Sequence, residues 1–311
     1  MRIFVAGATG AIGRQLVPRL VVAGHEVHGM TRSESKQALL AEAGAVPVVA
    51  DALDADQVAE AVARAEPDVI VHQLTAIPES LDMRHPDRAF ELTNRLRTEG
   101  TDHLLAAGHA MGVRRFVAQS NIAAYGHTGP AVKSEDDPID PAPPGVMRAN
   151  AAAIGHLEDA VVGATWTEGI ALRYGWFYGP GTSMAPGQES YELVRKRKFP
   201  VVGDGGGVWS FIHIADAADA TVAAIERGSR GIYNVVDDDP AAVAEWLPAL
   251  AEQLGAKKPM RVPRFVGRLF AGEFGVLLMT ELRGASNAKA KRELAWHPAH
   301  PSWRQGFAMG G

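Results

Sequence analysis

The sequence predicts an α/β protein, a doubly wound parallel sheet with a small C-terminal lobe. Three observations predict it. The chain opens on a short apolar run that ends in the glycine turn Gly7-Ala8-Thr9-Gly10-Ala11-Ile12-Gly13. Up to Tyr174, apolar runs of strand length alternate with stretches of helical spacing. Beyond Tyr174 the alternation becomes irregular, as a second lobe would make it. Apolar strands joined through helices imply right-handed crossovers and a parallel sheet covered on both faces.

In order, Ile3–Ala6 is a buried strand and Ile12–Ala23 a helix. Glu26–Met30 and Val46–Ala50 are strands that flank a helix over Gln37–Ala43. Ala55–Ala65 is helical and Val69–His72 is strand. One long helix is expected over Asp87–Met111, then strand Arg115–Gln119, helix Ala149–Ala164 and strand Gly169–Arg173. Residues 134–146 carry four prolines and several acids, so they form a loop.

Composition narrows the function. The 311 residues are 22% charged and 47% hydrophobic, and the net charge is −5. That is ordinary for a globular protein and unsuited to a nucleic-acid backbone. The chain has no cysteine, which excludes disulfides, thiolate nucleophiles and Cys-ligated zinc. No signal peptide is expected at the start, and Phe274–Met279 is too short to span a bilayer. A cytoplasmic protein without membrane or nucleic-acid partners is expected. No histidine pair stands at metal-ligand spacing, no metal is expected, and no Gly-x-Ser-x-Gly elbow marks a serine hydrolase.

The glycine turn follows a strand and opens a helix, the context of a dinucleotide site. Gly7 permits the turn, Gly10 lets backbone N–H groups of Thr9, Ala11 and Ile12 approach a pyrophosphate, and Gly13 lets helix and strand pack closely. The helix N-terminus then faces the phosphates. The second strand ends in Thr31-Arg32-Ser33 rather than in an acid. A guanidinium and two hydroxyls suit a 2′-phosphate, so NADP(H) is favoured over NAD(H). Asp51 stands where it can meet the adenine amino group or cap the next helix. Ala52, Leu74 and Thr75, which follow the third and fourth strands, and Tyr174 complete the expected cofactor contacts.

The glycine spacing, Asp51-Ala52-Leu53-Asp54, Gly100-Thr101, Tyr125-Gly126, Leu172-Arg173-Tyr174, Tyr178-Gly179-Pro180, Gly203-Asp204-Gly205 and Phe211–Asp216 together resemble the extended short-chain dehydrogenases/reductases of the NAD-dependent epimerase/dehydratase type. The resemblance runs from Met1 to about Asp239 and returns over Lys289–Trp303. It implies a Rossmann-type lobe over residues 1–174 with a returning segment at about 205–236. It also implies a substrate-binding lobe over 175–204 and 237–311, a nicotinamide cofactor, and a homodimer through the helices over Asp87–Met111 and Ala149–Ala164.

The departures from the family pattern bear on chemistry. The catalytic Ser/Thr position is Asn121, with Ser120 beside it, and the two are expected to orient the reacting oxygen. With Glu158 as the family's recurring glutamate, the catalytic tyrosine position is Asn150 and the lysine position is Ile154, and that helix has no Tyr-x-x-x-Lys. An amide can polarise a carbonyl but cannot deliver a proton. Water, the substrate, Tyr174 or His127 then stands as the proton source. Two positions that serve a sugar nucleotide in the family are Trp176 and Trp209, which favours a flat, apolar or aromatic small molecule over a nucleotide sugar, unless both indoles only fill the lobe interface. Arg195–Lys198 reads as a solvated basic face, and Asp237-Asp238-Asp239-Pro240 as an acidic turn before a helix. Three functions fit: an NADP(H)-dependent oxidoreductase or isomerase, a non-catalytic NADP(H) sensor or scaffold, and a non-redox cyclase or dehydratase.

Overall fold

Period-two alternation sends the side chains of each strand to two opposite covers. Ile3 and Val5 of β1 (Arg2–Ala6) join one apolar cluster, and Phe4 and Ala6 join another. In a computed structural model, which describes residues 1–78 and 82–308, β1 sits inside a seven-stranded sheet. The other strands are β2 (Glu26–Thr31), β3 (Val46–Val49), β4 (Val69–His72), β5 (Arg115–Asn121), β6 (Glu168–Tyr174) and β7 (Gly231–Val235). Their order is β7-β6-β5-β4-β1-β2-β3, with every neighbouring pair parallel. The fold class is the expected Rossmann-type α/β sheet. Its order reverses between β1 and β4, so the ligand crevice lies at their carboxyl ends.

Helices α1 (Ala11–Val22), α2 (Gln37–Glu42) and α3 (Ala55–Ala65) fall where helical spacing puts them. The single helix expected over 87–111 is instead two, α4 (Pro86–Arg97) and α5 (Glu99–Ala110). Thr98 breaks it at φ −97°, ψ −84°, and its hydroxyl donates to the Asn94 carbonyl at 3.0 Å. Such back-bonding by a β-branched hydroxyl bends a helix. The next helix, α6 (Gly145–Gly163), begins straight after Pro144, four residues earlier than periodicity suggests. Before it, Val132–Lys133 pairs in parallel with Gly284–Ala285 and ties the proline-rich loop to the C-terminal segment.

A second core gathers Trp209, Phe211, Trp246 and Trp303 around short strand pairs. There the acidic turn 237–239 does not cap the helix that follows, whose N-cap is Ala242. Asp237 accepts the backbone N–H of Trp303 and of Asp239, Asp239 accepts from Ser302 and Arg304, and Asp238 pairs with Lys291. The three carboxylates thus hold the C-terminal segment. The basic run is exposed, as expected of a solvated face.

Close packing of α1 against β1 rests on Gly13, where a Cβ would stand 2.4 Å from the Ala8 carbonyl oxygen. Gly13→Ala is therefore expected to destabilise the fold by about 1–3 kcal/mol, the usual cost of overpacking. A lower Tm in thermal unfolding checks this.

Candidate functional site

The crevice begins at the glycine turn. Gly7 has φ +89°, and a Cβ there would lie 2.7 Å from the Gln73 carbonyl oxygen. Gly10 is the N-cap of α1, carries no side-chain cap, and no acid stands in the first turn. Gly10 and Ala11 are exposed and Ile12 is buried beneath them. The first-turn N–H groups therefore face the open crevice, and a side chain at either Gly7 or Gly13 would fill space the backbone needs. This is a backbone cradle of the kind that takes a pyrophosphate.

The residues around it divide. Arg32 is exposed and has no polar partner among the described residues. Ser33 is half-buried, and its hydroxyl shares a hydrogen bond with Ser35 at 2.8 Å. Thr31 is buried; its hydroxyl accepts the Ser33 N–H and lies 3.5 Å from that of Thr9, so it shapes the turn rather than facing a ligand. Asp51 accepts the Leu53 N–H, while Asp54 caps α3 through the N–H groups of Asp56 and Gln57. The capping alternative for Asp51 is thus taken by Asp54. Ala52 is buried and its carbonyl meets His103 Nδ1 at 2.9 Å. Leu74 and Thr75 are half-buried just past β4, and the Leu74 N–H donates to His72 Nδ1.

The proposed proton donors are committed elsewhere. Tyr174 is fully buried; Thr221 Oγ1 gives its proton to the Ala217 carbonyl and so accepts the tyrosine hydroxyl at 2.6 Å. Gln73 Nε2 donates to the same hydroxyl, and burial pushes Tyr174 up to about 12. Strand parity explains the error: Tyr174 packs with the cluster of Ile170 and Leu172, whereas Arg173 points to the other face. His127 Nδ1 lies 2.8 Å from the buried Asp140 carboxylate, and its carbonyl accepts from Arg283. It braces the turn after Tyr125. Ser120 is also buried and donates to Glu158 at 2.5 Å, so it cannot orient a substrate as expected. Asn121 is half-buried, and its Oδ1 accepts the Ala123 N–H. Of the two indoles, Trp209 is 7% exposed and donates to the Leu278 carbonyl, so it fills the core and is no substrate contact. Trp176 stacks on it at 4.3 Å, is half-buried, and leaves Nε1 without a partner among the described residues.

The family model of the NAD dependent epimerase/dehydratase family matches residues 3–236. The chain belongs to this family. It is 45% identical over 309 residues to a 3-diazoavenalumate denitrifying reductase of a Streptomyces species, covering 99% of both chains. A UDP-glucose 4-epimerase of Thermus thermophilus solved in complex with NAD is similar at TM-score 0.76 and 26% identity, over 100% of this chain and 97% of that one. A human epimerase family protein solved with NADPH is similar in fold at TM-score 0.77 and 20% identity, over 100% and 99%. Relatives of this epimerase/dehydratase-type chain are thus enzymes, and its structural neighbours hold NAD or NADPH, which supports a nicotinamide cofactor in a cradle whose glycines leave room for one.

Arg97 and His72, whose roles sequence reasoning passed over, join Asn150 and Glu158 at the floor of the candidate site. On α6, Val146, Asn150, Ile154 and Glu158 recur every four residues on one face. At its far end the Arg173 guanidinium grips the Glu158 carboxylate with two bonds, of 2.7 and 2.6 Å. At the near end, Asn150 Oδ1 accepts a 2.6 Å hydrogen bond from Arg97, at the end of α4. Arg97 is 4% exposed, and burial lowers it to about 10. Below it, the Thr101 hydroxyl donates to the Arg97 carbonyl and so accepts from His72 Nε2. With Leu74 donating to Nδ1, this assigns the neutral Nε2–H tautomer to His72. His213, Asp216 and His300 also converge, with ligand atoms within 4.8 Å. Asp216 there accepts the N–H groups of Ala299 and His300, so it clamps the C-terminal segment.

Burial, with a smaller push from Arg97, lowers His72 to about 4. The unfolded chain takes up this proton near pH ~6.5, so His72 costs the fold nothing above that pH and destabilises it as pH falls toward ~4. The loss from this residue is about 3 kcal/mol. Urea midpoints measured from pH 7 down to 4 should fall accordingly, and His72→Gln should flatten that acid limb.

Proposed function

We propose that the chain is a reductase, preferring NADP(H) over NAD(H), that acts on an electron-poor, apolar aromatic small molecule without a protein proton donor. One observation carries this reading: Asn150, at the family's tyrosine position, is an amide held by Arg97, while Tyr174 and Ser120 are buried and bonded away from the crevice. A reduction that needs no proton is the chemistry such a site can support.

The name of the Streptomyces relative describes such a reaction, a reduction that removes nitrogen from a diazo compound. Replacing an aryl diazonium group by hydride forms one C–H bond and breaks one C–N bond. The bonding pair leaves with N2, the arene is reduced by two electrons, and the nicotinamide is oxidised by two. No proton enters the balance. Loss of a tyrosine–lysine acid therefore costs this reaction nothing, whereas it would cripple carbonyl reduction.

When bound, the reduced cofactor supplies the hydride. In this reading the first turn of α1 binds its pyrophosphate, Arg32 and Ser33 its 2′-phosphate, and Asp51 its adenine. The amides of Asn121 and Asn150 orient the substrate, and the Trp176 ring offers an apolar face. Fixing the arene beside the cofactor contributes by proximity, and an apolar wall keeps water from a reactive diazo group.

Two measurements test the reading. With cofactor deuterated at the transferring position and an aryl diazonium substrate, the product should carry one deuterium at the carbon that lost nitrogen, and none from D2O when the labels are exchanged. Solvent label at that carbon contradicts it. Arg32→Ala should weaken NADPH binding about tenfold or more, the ~1.4 kcal/mol of a charge-assisted contact, and leave NADH binding unchanged. Energy transfer from tryptophan to the reduced nicotinamide reads both affinities.

A further inference from the structure

We propose that Arg97 and Asn150 form a subsite for an anionic oxygen of the substrate, a phenolate-type oxygen borne by the same arene that accepts the hydride. This deepens the reductase reading and rests on it for the identity of the reacting group.

The buried Arg97 charge has no carboxylate bonded to it among the described residues. Arg97 is 4% exposed and Arg173 is 2% exposed. The buried carboxylate beside them is that of Glu158, and both its oxygens are taken. Oε1 accepts from Ser120 and Arg173, and Oε2 accepts from Arg173. His72, on the other side of Arg97, is neutral by its hydrogen-bond pattern. Glu135 acts on Arg173 as well, but the carboxylate that acts on Arg97 is Glu158, whose oxygens are bonded to Ser120 and Arg173, so Arg97 has no hydrogen-bonded counter-ion among the described residues. Among the described residues the Arg97 side chain has one hydrogen bond, to Asn150, and its Nε has none. A buried charge with neither counter-ion nor full hydrogen bonding is costly, and a ligand that brings the missing negative charge removes the cost.

The amide sets where that charge meets the ligand. Because Asn150 Oδ1 accepts from Arg97, the Asn150 Nδ2 group is turned away from the guanidinium, and its two N–H donors have no partner among the described residues. An oxyanion can accept from this amide with the Arg97 charge directly behind it. Neither group gives up a proton, since arginine does not deprotonate in proteins. The pair therefore recognises an oxygen already ionised. A purely cationic arene would be repelled by the same charge. An electron-poor arene that also carries an oxyanion is neutral overall and is drawn in. Arg97 acts here as a positioning residue, through Asn150 and by its field.

The probe is 4-nitrophenol, an electron-poor phenol whose anion has its own visible absorption, titrated against the protein loaded with NADP+. The wild-type protein is expected to bind the phenolate at least about tenfold more tightly than the phenol, lowering the apparent pKa of the bound probe by about one unit. Asn150→Asp places a carboxylate against Arg97 at nearly constant volume, and it should abolish this preference. Arg97→Met should abolish it too, and Arg97→Lys should restore part of it. NADPH binding by energy transfer verifies that each variant is folded. Preference for the neutral phenol, or an unchanged preference in Asn150→Asp, overturns the proposal. Displacement of the probe by equimolar benzoate would assign the subsite to carboxylates and overturn the phenolate assignment. The readout requires no turnover, so a protein that selects phenolate but reduces no diazo compound would remove the reductase reading and leave the subsite standing.

Discussion

The site is built on the buried contact among Glu158, Arg173 and Ser120. Ser120 and Arg173 are register partners on adjacent strands β5 and β6, and both reach the same carboxylate on α6. A bidentate guanidinium–carboxylate pair has one good geometry, so it fixes the rotation of α6 about its own axis as well as its distance from the sheet. Asn150 lies two turns earlier on that face, and its position over the crevice follows from this rotation. Removing one partner would leave an uncompensated buried charge, a loss of about 3–5 kcal/mol. The same contact also consumes Ser120, which is why Asn121 and not its neighbour is left at the crevice.

Electrostatics separates this chain's site from the family pattern it is built on. In the reading proposed above, the tyrosine and lysine of that pattern fall at Asn150 and the buried Ile154 of α6. Arg97 reaches Asn150 from the neighbouring helix α4 and brings a cation to that position. On this proposal the floor is polar and positively charged, and it orients the substrate and balances charge without supplying a proton. This combination suits a hydride acceptor whose product is complete once its leaving group departs.

Much of the fold was legible because its determinants are local. Apolar runs of four or five residues set the strands, and Gly7 and Gly13 mark a turn whose Cβ positions are occupied by backbone. The cradle was legible for the same reason. The break at Thr98 was not, because helical periodicity continues through it and only the backbone turn at Thr98, whose hydroxyl shares the Asn94 carbonyl with its own N–H, separates the two helices. Tyr174 and Ser120 were misjudged because nearness in sequence to motif residues says nothing about strand parity. Tyr174 faces the Thr221 helix, and Ser120 faces α6. Trp209 was legible only as an indole at a particular position; its burial depends on the Leu278 carbonyl, almost seventy residues away. Arg97 carries no motif of its own, and its meaning appears only when α4 and α6 lie side by side.

The central claim is that reduction at this site proceeds without a protein acid. It is tested most directly by the pH dependence of hydride transfer in a single turnover, at saturating cofactor and substrate. The account predicts a rate that does not fall as pH rises from about 7 to 9, since no general acid has to stay protonated. A rate that declines over that range would reveal a titrating donor in the site and contradict the account.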